Sequence, residues 1–182
     1  MLKKERREVW IMDLIANWKD VKSLFKKSFK SSFHFAIATV TENGGPHVTP
    51  IGSLILGEPG HGFYFEKFTQ QLPHNYRNNR QICVLAVNSS RWFWLKSLVG
   101  GRFTTPPAVR LHGVVGDLRD ATDAEIALWQ KRVKRVSFSK GHAMMWRSMS
   151  MVRDIEFNRI EPVHIGKMTR DTWNTQSGVR HA

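Results

Sequence analysis

Gly62-Phe63-Tyr64-Phe65-Glu66-Lys67-Phe68-Thr69-Gln70-Gln71-Leu72-Pro73-His74-Asn75 sets an alternating aromatic strand directly before a run of hydrogen-bonding side chains. Around it, Ala36 to Asn88 reads as strand, tight turn, strand, turn, strand, short polar helix, strand. The helix start falls within the polar run, where unpaired N–H groups and the positive end of the helix dipole suit an anion such as a phosphate. Lys67 supplies a charge for it, and Thr69, Gln70 and Gln71 supply hydrogen-bond donors. A solvated strand-to-helix loop is the plainer reading of the same residues. The layout points to a β-barrel holding a phosphorylated cofactor, whose identity these residues leave open.

Working outward, Trp18, Val21, Leu24, Phe25 and Phe29 recur at three- and four-residue spacing, with Lys between them. The pattern predicts an amphipathic helix from Asn17 that packs on its own domain. Phe33 to Thr41 is a strand, and Glu42-Asn-Gly-Gly-Pro46 is a turn, because Asn and Gly tolerate positive φ. A second strand runs from Val48 to Leu56, interrupted at Gly52, and Phe63 to Phe68 and Ile82 to Asn88 follow as strands on either side of a short helix over Pro73–Arg80. Arg91 to Val99 is aromatic and fits helix or loop; its Trp92, Phe93 and Trp94 suit a core or an interface. Ala108 to Leu118 is strand-like. Thr122 or Asp120 caps a helix from about Asp123 to Val136, with Ile126, Trp129 and Val133 on its buried stripe. His142 to Met151 reads as a short helix, and Ile155–Ile160 and Val163–Met168 as closing strands.

At 182 residues the chain fits one domain, with 1–16 as an N-terminal extension, 17–169 as the folded unit and 170–182 as a polar tail. The net charge of +13 suits phosphorylated ligands or nucleic acid as well as a solvated surface. The single cysteine, Cys83, rules out a disulfide framework and lies in an apolar strand, where it reads as a small core residue. No apolar run approaches the roughly 18 residues a membrane span needs, and the N-terminus lacks a secretory signal, so the expectation is a cytoplasmic protein with no membrane partner. The eight His form no ligand pair on a helix face, and no Gly-x-Ser-x-Gly turn is present, so neither a bound catalytic metal nor a covalent nucleophile is expected.

A second candidate site is His47-Val-Thr-Pro-Ile-Gly-Ser53. Pro50 cannot donate to a ladder and Gly52 carries no bulk, so the backbone here suits a flat ligand, or equally an edge strand with a bulge. The segments Ala38–Pro50, Gly62–Phe65, Asn75–Val84 and Val109–Gly113, in this order and spacing, resemble the FMN-binding split β-barrel family typified by pyridoxamine-phosphate oxidase. The resemblance covers about Asn17 to Thr169. It implies a mainly β, α+β fold: a six-stranded Greek-key split barrel with flanking helices, pairing as a homodimer with FMN in the cleft between subunits. It also implies that Thr49, Pro50, Ile51, Gly52 and Ser53 lie along the flavin ring, and that Lys67, Thr69, Gln70 and Gln71 approach the ribityl chain and phosphate.

The chain departs from the oxidase at the phosphate cluster. Where the oxidase carries Ser-Arg-Lys, this sequence has Gln71, Leu72 and Pro73, and its last residues, Gly178-Val-Arg-His-Ala182, lack the oxidase's Arg-Leu-His spacing. The expected function is therefore a flavin-dependent oxidoreductase acting on a small molecule other than pyridoxamine phosphate. The cofactor carries the chemistry in such an enzyme, so no catalytic residue is singled out. Two rivals stand beside it. One is the same barrel with haem, ligated by His47, His61 or His164, or with a deazaflavin. The other is a nucleic-acid-binding barrel using the basic charge and exposed aromatics, with specific binding not expected because Lys and Arg are scattered among acids.

Overall fold

The computed structural model describes residues 13–134, 149–170 and 172–173. Helix α1 (Leu14–Ser32) starts three residues before the sequence pattern suggests, because Asp13 caps it by accepting from the Ala16 N–H at 2.9 Å. Trp18, Val21, Leu24, Phe25 and Phe29 are buried along one side of it, as their spacing predicts. Phe33 ends the helix in the left-handed conformation, with φ 61°, and its N–H returns to the Phe29 carbonyl.

The strands are β1 (Phe35–Val40), β2 (Pro46–Ile51), β3 (Ile55–Leu56), β4 (His61–Phe65), β5 (Gln81–Val87), β6 (Ala108–Asp120) and β7 (Met151–Pro162). They form one antiparallel sheet in the order β2-β1-β5-β6-β7-β4-β3. The described sheet thus has seven strands rather than six, because the expected Val48–Leu56 strand is cut in two. Its halves occupy opposite edges of the sheet. Three residues, Gly52 to Leu54, carry the chain from Ile51 to Ile55 and span at most about 14 Å. A flat seven-stranded sheet would hold its edge strands about 29 Å apart. The sheet must therefore roll up until its edges nearly meet.

Each residue of that link is held. A Cβ on Gly52 would lie 2.9 Å from the Phe33 carbonyl oxygen. Ser53 Oγ donates to the Phe65 carbonyl at 2.8 Å, tying the end of β2 to the end of β4. Leu54 is buried, and its carbonyl accepts from Arg132. The inner face of the roll is the main core. One of its rows, Ile37–Val84–Leu111–Ile160, crosses four strands with every member fully buried.

Helix α2 (Gln71–Tyr76) follows β4, and α3 (Arg91–Val99) settles the helix-or-loop choice in favour of helix. Helix α4 (Asp123–Val133) is capped by Thr122 rather than Asp120, with Glu125 reaching back to the Thr122 N–H in a capping box. Its Trp129 and Val133 form a second cluster with Phe63, Phe65, Met149 and Val152. The expected helix over His142–Met151 lies largely outside the described residues. Val163–Met168 is not a strand: β7 is a single run to Pro162, and Gly166–Thr169 forms a 3-10 turn starting at Gly166, where φ is +52°. Trp173, beyond it, packs into the main core.

Cys83 also departs from expectation. The inward positions of β5 are Ile82, Val84 and Ala86, so Cys83 falls on the outer face, half-buried, with Sγ 3.9 Å from His112 Nε2. Burial raises its thiol pKa.

The link between the edges gives a direct test. Gly52→Ala should destabilise the fold by about 1–3 kcal/mol through overpacking against the Phe33 carbonyl. A urea titration should show the midpoint lowered with an unchanged slope.

Candidate functional site

The two segments singled out in the sequence meet at the closure of the roll. The Ser53–Phe65 hydrogen bond lies two residues before Lys67, so the end of β2 and the β4–α2 loop are neighbours. This contact also fixes what several of the candidate side chains do. Ser53 is buried and its hydroxyl proton goes to the Phe65 carbonyl. The Ile51 side chain belongs to the main core, pointing away from any ligand on the outer face. Gly52 is required by the close approach of Phe33. Pro50 is exposed on the outer face, and Thr49 lies on the inner side, within 2.9 Å of His47 Nε2.

In the loop, Gln71 donates through Nε2 to Asn75 Oδ1 at 2.9 Å, and Asn75 in turn donates to Thr39 Oγ1 at 2.8 Å. Asn75 is fully buried, so this chain braces α2 against β1. Gln70 sits at the N-cap position with helical backbone angles and makes no side-chain capping bond. Helix α2 has six residues, so anion binding here depends on side chains rather than on the helix end. Lys67 is half-buried with its ammonium 5.3 Å from the Phe68 ring centre. Thr69 differs from its neighbours: its hydroxyl is buried and has no hydrogen-bond partner among the described residues. A buried hydroxyl without a partner costs about 1–3 kcal/mol, which a bound oxygen would offset.

Sequence reasoning missed the base of this loop. Arg153 of β7 makes a bidentate pair with Glu66, at 2.7 and 3.1 Å, and donates to the Gly116 carbonyl. Both side chains are almost entirely enclosed, at 13% and 8% exposure. Burial works against the Arg153 charge, yet its hydrogen bonds to Glu66 outweigh this and raise its pKa. The Tyr64 hydroxyl lies 2.9 Å from Glu66 Oε2 and 3.2 Å from the Tyr76 hydroxyl. Its one proton goes to the carboxylate, the stronger acceptor, so Tyr76 donates to Tyr64. Burial pushes both phenols up, Tyr76 to about 12, so both stay protonated at any physiological pH. Register was the missing information: Tyr64 and Arg153 are cross-strand partners, a relation between residues far apart in sequence.

The histidines considered as haem ligands are dispersed. His47 lies against Thr49, while His61 and His164 are exposed at a strand start and beyond β7. Among the described residues no three His, Cys, Asp or Glu side chains come together as a metal site. No described helix is long and apolar enough to cross a membrane.

A rolled antiparallel sheet flanked by helices, with a polar loop at its closure, defines a β-barrel-like fold. The chain belongs to the pyridoxamine 5'-phosphate oxidase family, whose sequence model matches residues 22–165. No curated protein matches it in sequence. Among solved structures it is similar to HupZ of Group A Streptococcus, at 18% identity over 80% of this chain and 92% of that one, with a TM-score of 0.52. A histidine-to-alanine variant of HupZ matches at 18% identity over 80% and 98%, with a TM-score of 0.51. An FMN-binding protein from Syntrophomonas wolfei matches at 11% identity over 82% and 94%, with a TM-score of 0.49. At 18% identity the likeness to HupZ speaks to the fold alone.

The Glu66–Arg153 pair generates a clear expectation. Glu66→Ala leaves a buried guanidinium without its carboxylate and should cost about 3–5 kcal/mol. The double variant Glu66→Leu/Arg153→Met should recover most of that loss, measured by chemical denaturation. Equal losses in both would mean that packing, not charge, sets the cost.

Proposed function

We propose that this protein is a flavin-dependent oxidoreductase that holds FMN beside the closure of its rolled sheet, with Thr69 and Lys67 toward the phosphate. The observation that carries the reading is the Thr69 hydroxyl, buried without a partner among the described residues, in the loop where the family resemblance puts that phosphate. When bound, FMN supplies hydride exchange at its ring N5. The chain's own residues do the rest. Thr69 donates to a phosphate oxygen and Lys67 offsets its charge. The buried Glu66–Arg153–Tyr64–Tyr76 network keeps the loop in place without entering the chemistry: burial holds both phenols protonated and the bonds to Glu66 hold Arg153 charged. The side chains of Thr49 and Ile51 face inward and that of Ser53 acts in the fold, so along the outer face of β2 the ring would meet backbone and Pro50.

We also propose a homodimer, and the strand pairing supports one face for it. Rows Pro50–Ala36–Leu85 and Val48–Ala38–Cys83 cross β2, β1 and β5 on the outer side and carry no charge. The inner side of the same strands is core, so β1 and β5 are apolar on both faces, the pattern of strands covered on both sides. Beyond them the rows turn polar: Arg110 and His112 of β6 both bond Glu161 of β7, at 2.7 and 2.9 Å. An apolar centre with a charged rim is the anatomy of a protein interface.

FMN binding should appear as quenched flavin fluorescence on titration into the purified chain. Lys67→Ala should weaken it by about 1.5–3 kcal/mol, and Thr69→Val by about 0.5–1.5 kcal/mol. Thr69→Val should at the same time leave stability unchanged or raised, since it removes an unpartnered buried hydroxyl. Haem uptake with a Soret band, and no affinity for FMN in the folded native chain, would replace the flavin reading.

Light scattering of the native chain should give about twice the 21.0 kDa chain mass. Val48→Asp, at a position 59% exposed in the single chain, should halve it without unfolding the protein. A native monomer would defeat the shared-cleft arrangement.

A further inference from the structure

Helix α3 carries large apolar side chains on its outer side as well as its inner one, yet it lies on the surface. Its inner side is docked: Phe93 and Trp94 pack on buried Phe103 at 5.4 and 5.2 Å, and Trp94 Nε1 donates to the Asn88 carbonyl at 2.6 Å. Ser97, also inward, is buried and donates to the Phe93 carbonyl. Its outer side carries Trp92, Leu95, Leu98 and Val99, exposed by 80, 52, 62 and 83%. At 3.6 residues per turn these four fall within an arc of about 120°, opposite Phe93, Trp94 and Ser97. Arg91 falls within that arc between Leu98 and Leu95, Lys96 borders it beside Trp92, and Arg102 lies just beyond the helix end; all three are exposed. Gly101, at φ 64°, ends the helix after nine residues, far short of a membrane span. Large apolar side chains on the outer side of a docked helix need cover there.

We propose that α3 seats this protein on an anionic lipid surface, with Trp92, Leu95, Leu98 and Val99 entering the headgroup–acyl boundary and Arg91, Lys96 and Arg102 meeting the headgroups. Short apolar runs argue against a helix that spans a bilayer; they do not argue against one that lies on it. Charge selects this occupant. No acidic residue occurs from Lys67 to Gly116, so a second copy packed here about a two-fold axis would set Arg91, Lys96 and Arg102 against their own copies. The uncharged outer face of β2, β1 and β5 is the better seat for that copy. A nucleic acid would need flat rings for its bases, but the exposed set has one ring and three aliphatic side chains. Aliphatics with an interfacial Trp and a basic rim suit acyl chains beneath anionic headgroups.

The experiment is co-sedimentation of the full chain with vesicles of phosphatidylcholine containing phosphatidylglycerol, against phosphatidylcholine alone. Binding is expected to the mixed vesicles only, and to fall as salt rises. Leu98→Asp/Val99→Asp should abolish it while circular dichroism and particle mass stay native. Arg91→Gln/Lys96→Gln/Arg102→Gln should weaken it on the order of a hundredfold, from about fivefold per charge. Three results would overturn the proposal. The native chain could ignore anionic vesicles, or Leu98→Asp/Val99→Asp could bind as well as the native chain. That variant could also lose dimer mass, which would make α3 a contact between copies. Vesicles left unbound while single-stranded DNA is retained at physiological salt through Trp92 would assign the surface to nucleic acid.

Discussion

The link from Gly52 to Leu54 is the constraint on which the rest of this structure depends. The chain has only those residues in which to pass from one edge of the sheet to the other, so the sheet has no option but to roll. The link is also where separate elements converge. The carbonyl that crowds Gly52 belongs to Phe33, whose left-handed backbone ends α1. The carbonyl that binds Ser53 belongs to β4. The guanidinium that reaches the Leu54 carbonyl belongs to Arg132 of α4, and it lies 3.8 Å from the centre of the Phe29 ring on α1. Burial alone lowers the Arg132 pKa to about 10, which still leaves it charged at neutral pH, so a hydrogen bond and an aromatic face replace its lost water.

The candidate site follows from the same geometry. A loop after β4 is not by itself near β2; it is near because the roll closes there. The loop then inherits rigid supports on two sides. The Gln71–Asn75–Thr39 chain ties α2 to β1, and the Glu66–Arg153 pair ties the start of the loop to β7. Between these supports Thr69 is left with a buried hydroxyl and no partner among the described residues. Rigid surroundings matter because a lone donor in a loose loop would turn to water, whereas one fixed by its neighbours keeps its direction for a ligand.

Much of the fold was legible from local pattern. The stripe of α1, the Asn-Gly turn before β2 and the start of α4 at Asp123 are all decided within a few residues, and the structure agrees with them, choosing Thr122 over Asp120 as the cap. What local pattern could not show were relations across the sheet. Apolar character in β5 does not say that Cys83 faces outward, since both faces of that strand are apolar. Val48 to Leu56 is continuous in its preference for extended backbone, and only the distant carbonyl of Phe33 and that of Phe65 reveal why it breaks. The site shows the same division. Lys67, Thr69, Gln70 and Gln71 stood out by residue type, but type alone did not separate Thr69, which is unpartnered, from Gln71, which is engaged with Asn75. The buried Arg153 gave no local signal, because an arginine in an alternating strand reads as an outward residue until its partner is known.

The way the sheet ends has a consequence for how this chain meets other chains. Exposed strand edges recruit further strands, and through them fibrils. Here one end strand, β3, is two residues long, and the other, β2, carries Pro46 and Pro50, which lack the N–H a new neighbour would need. The roll brings these two poor templates side by side. Growth by strand addition is blocked at both ends, so association is directed to side-chain surfaces, where it can be specific and finite.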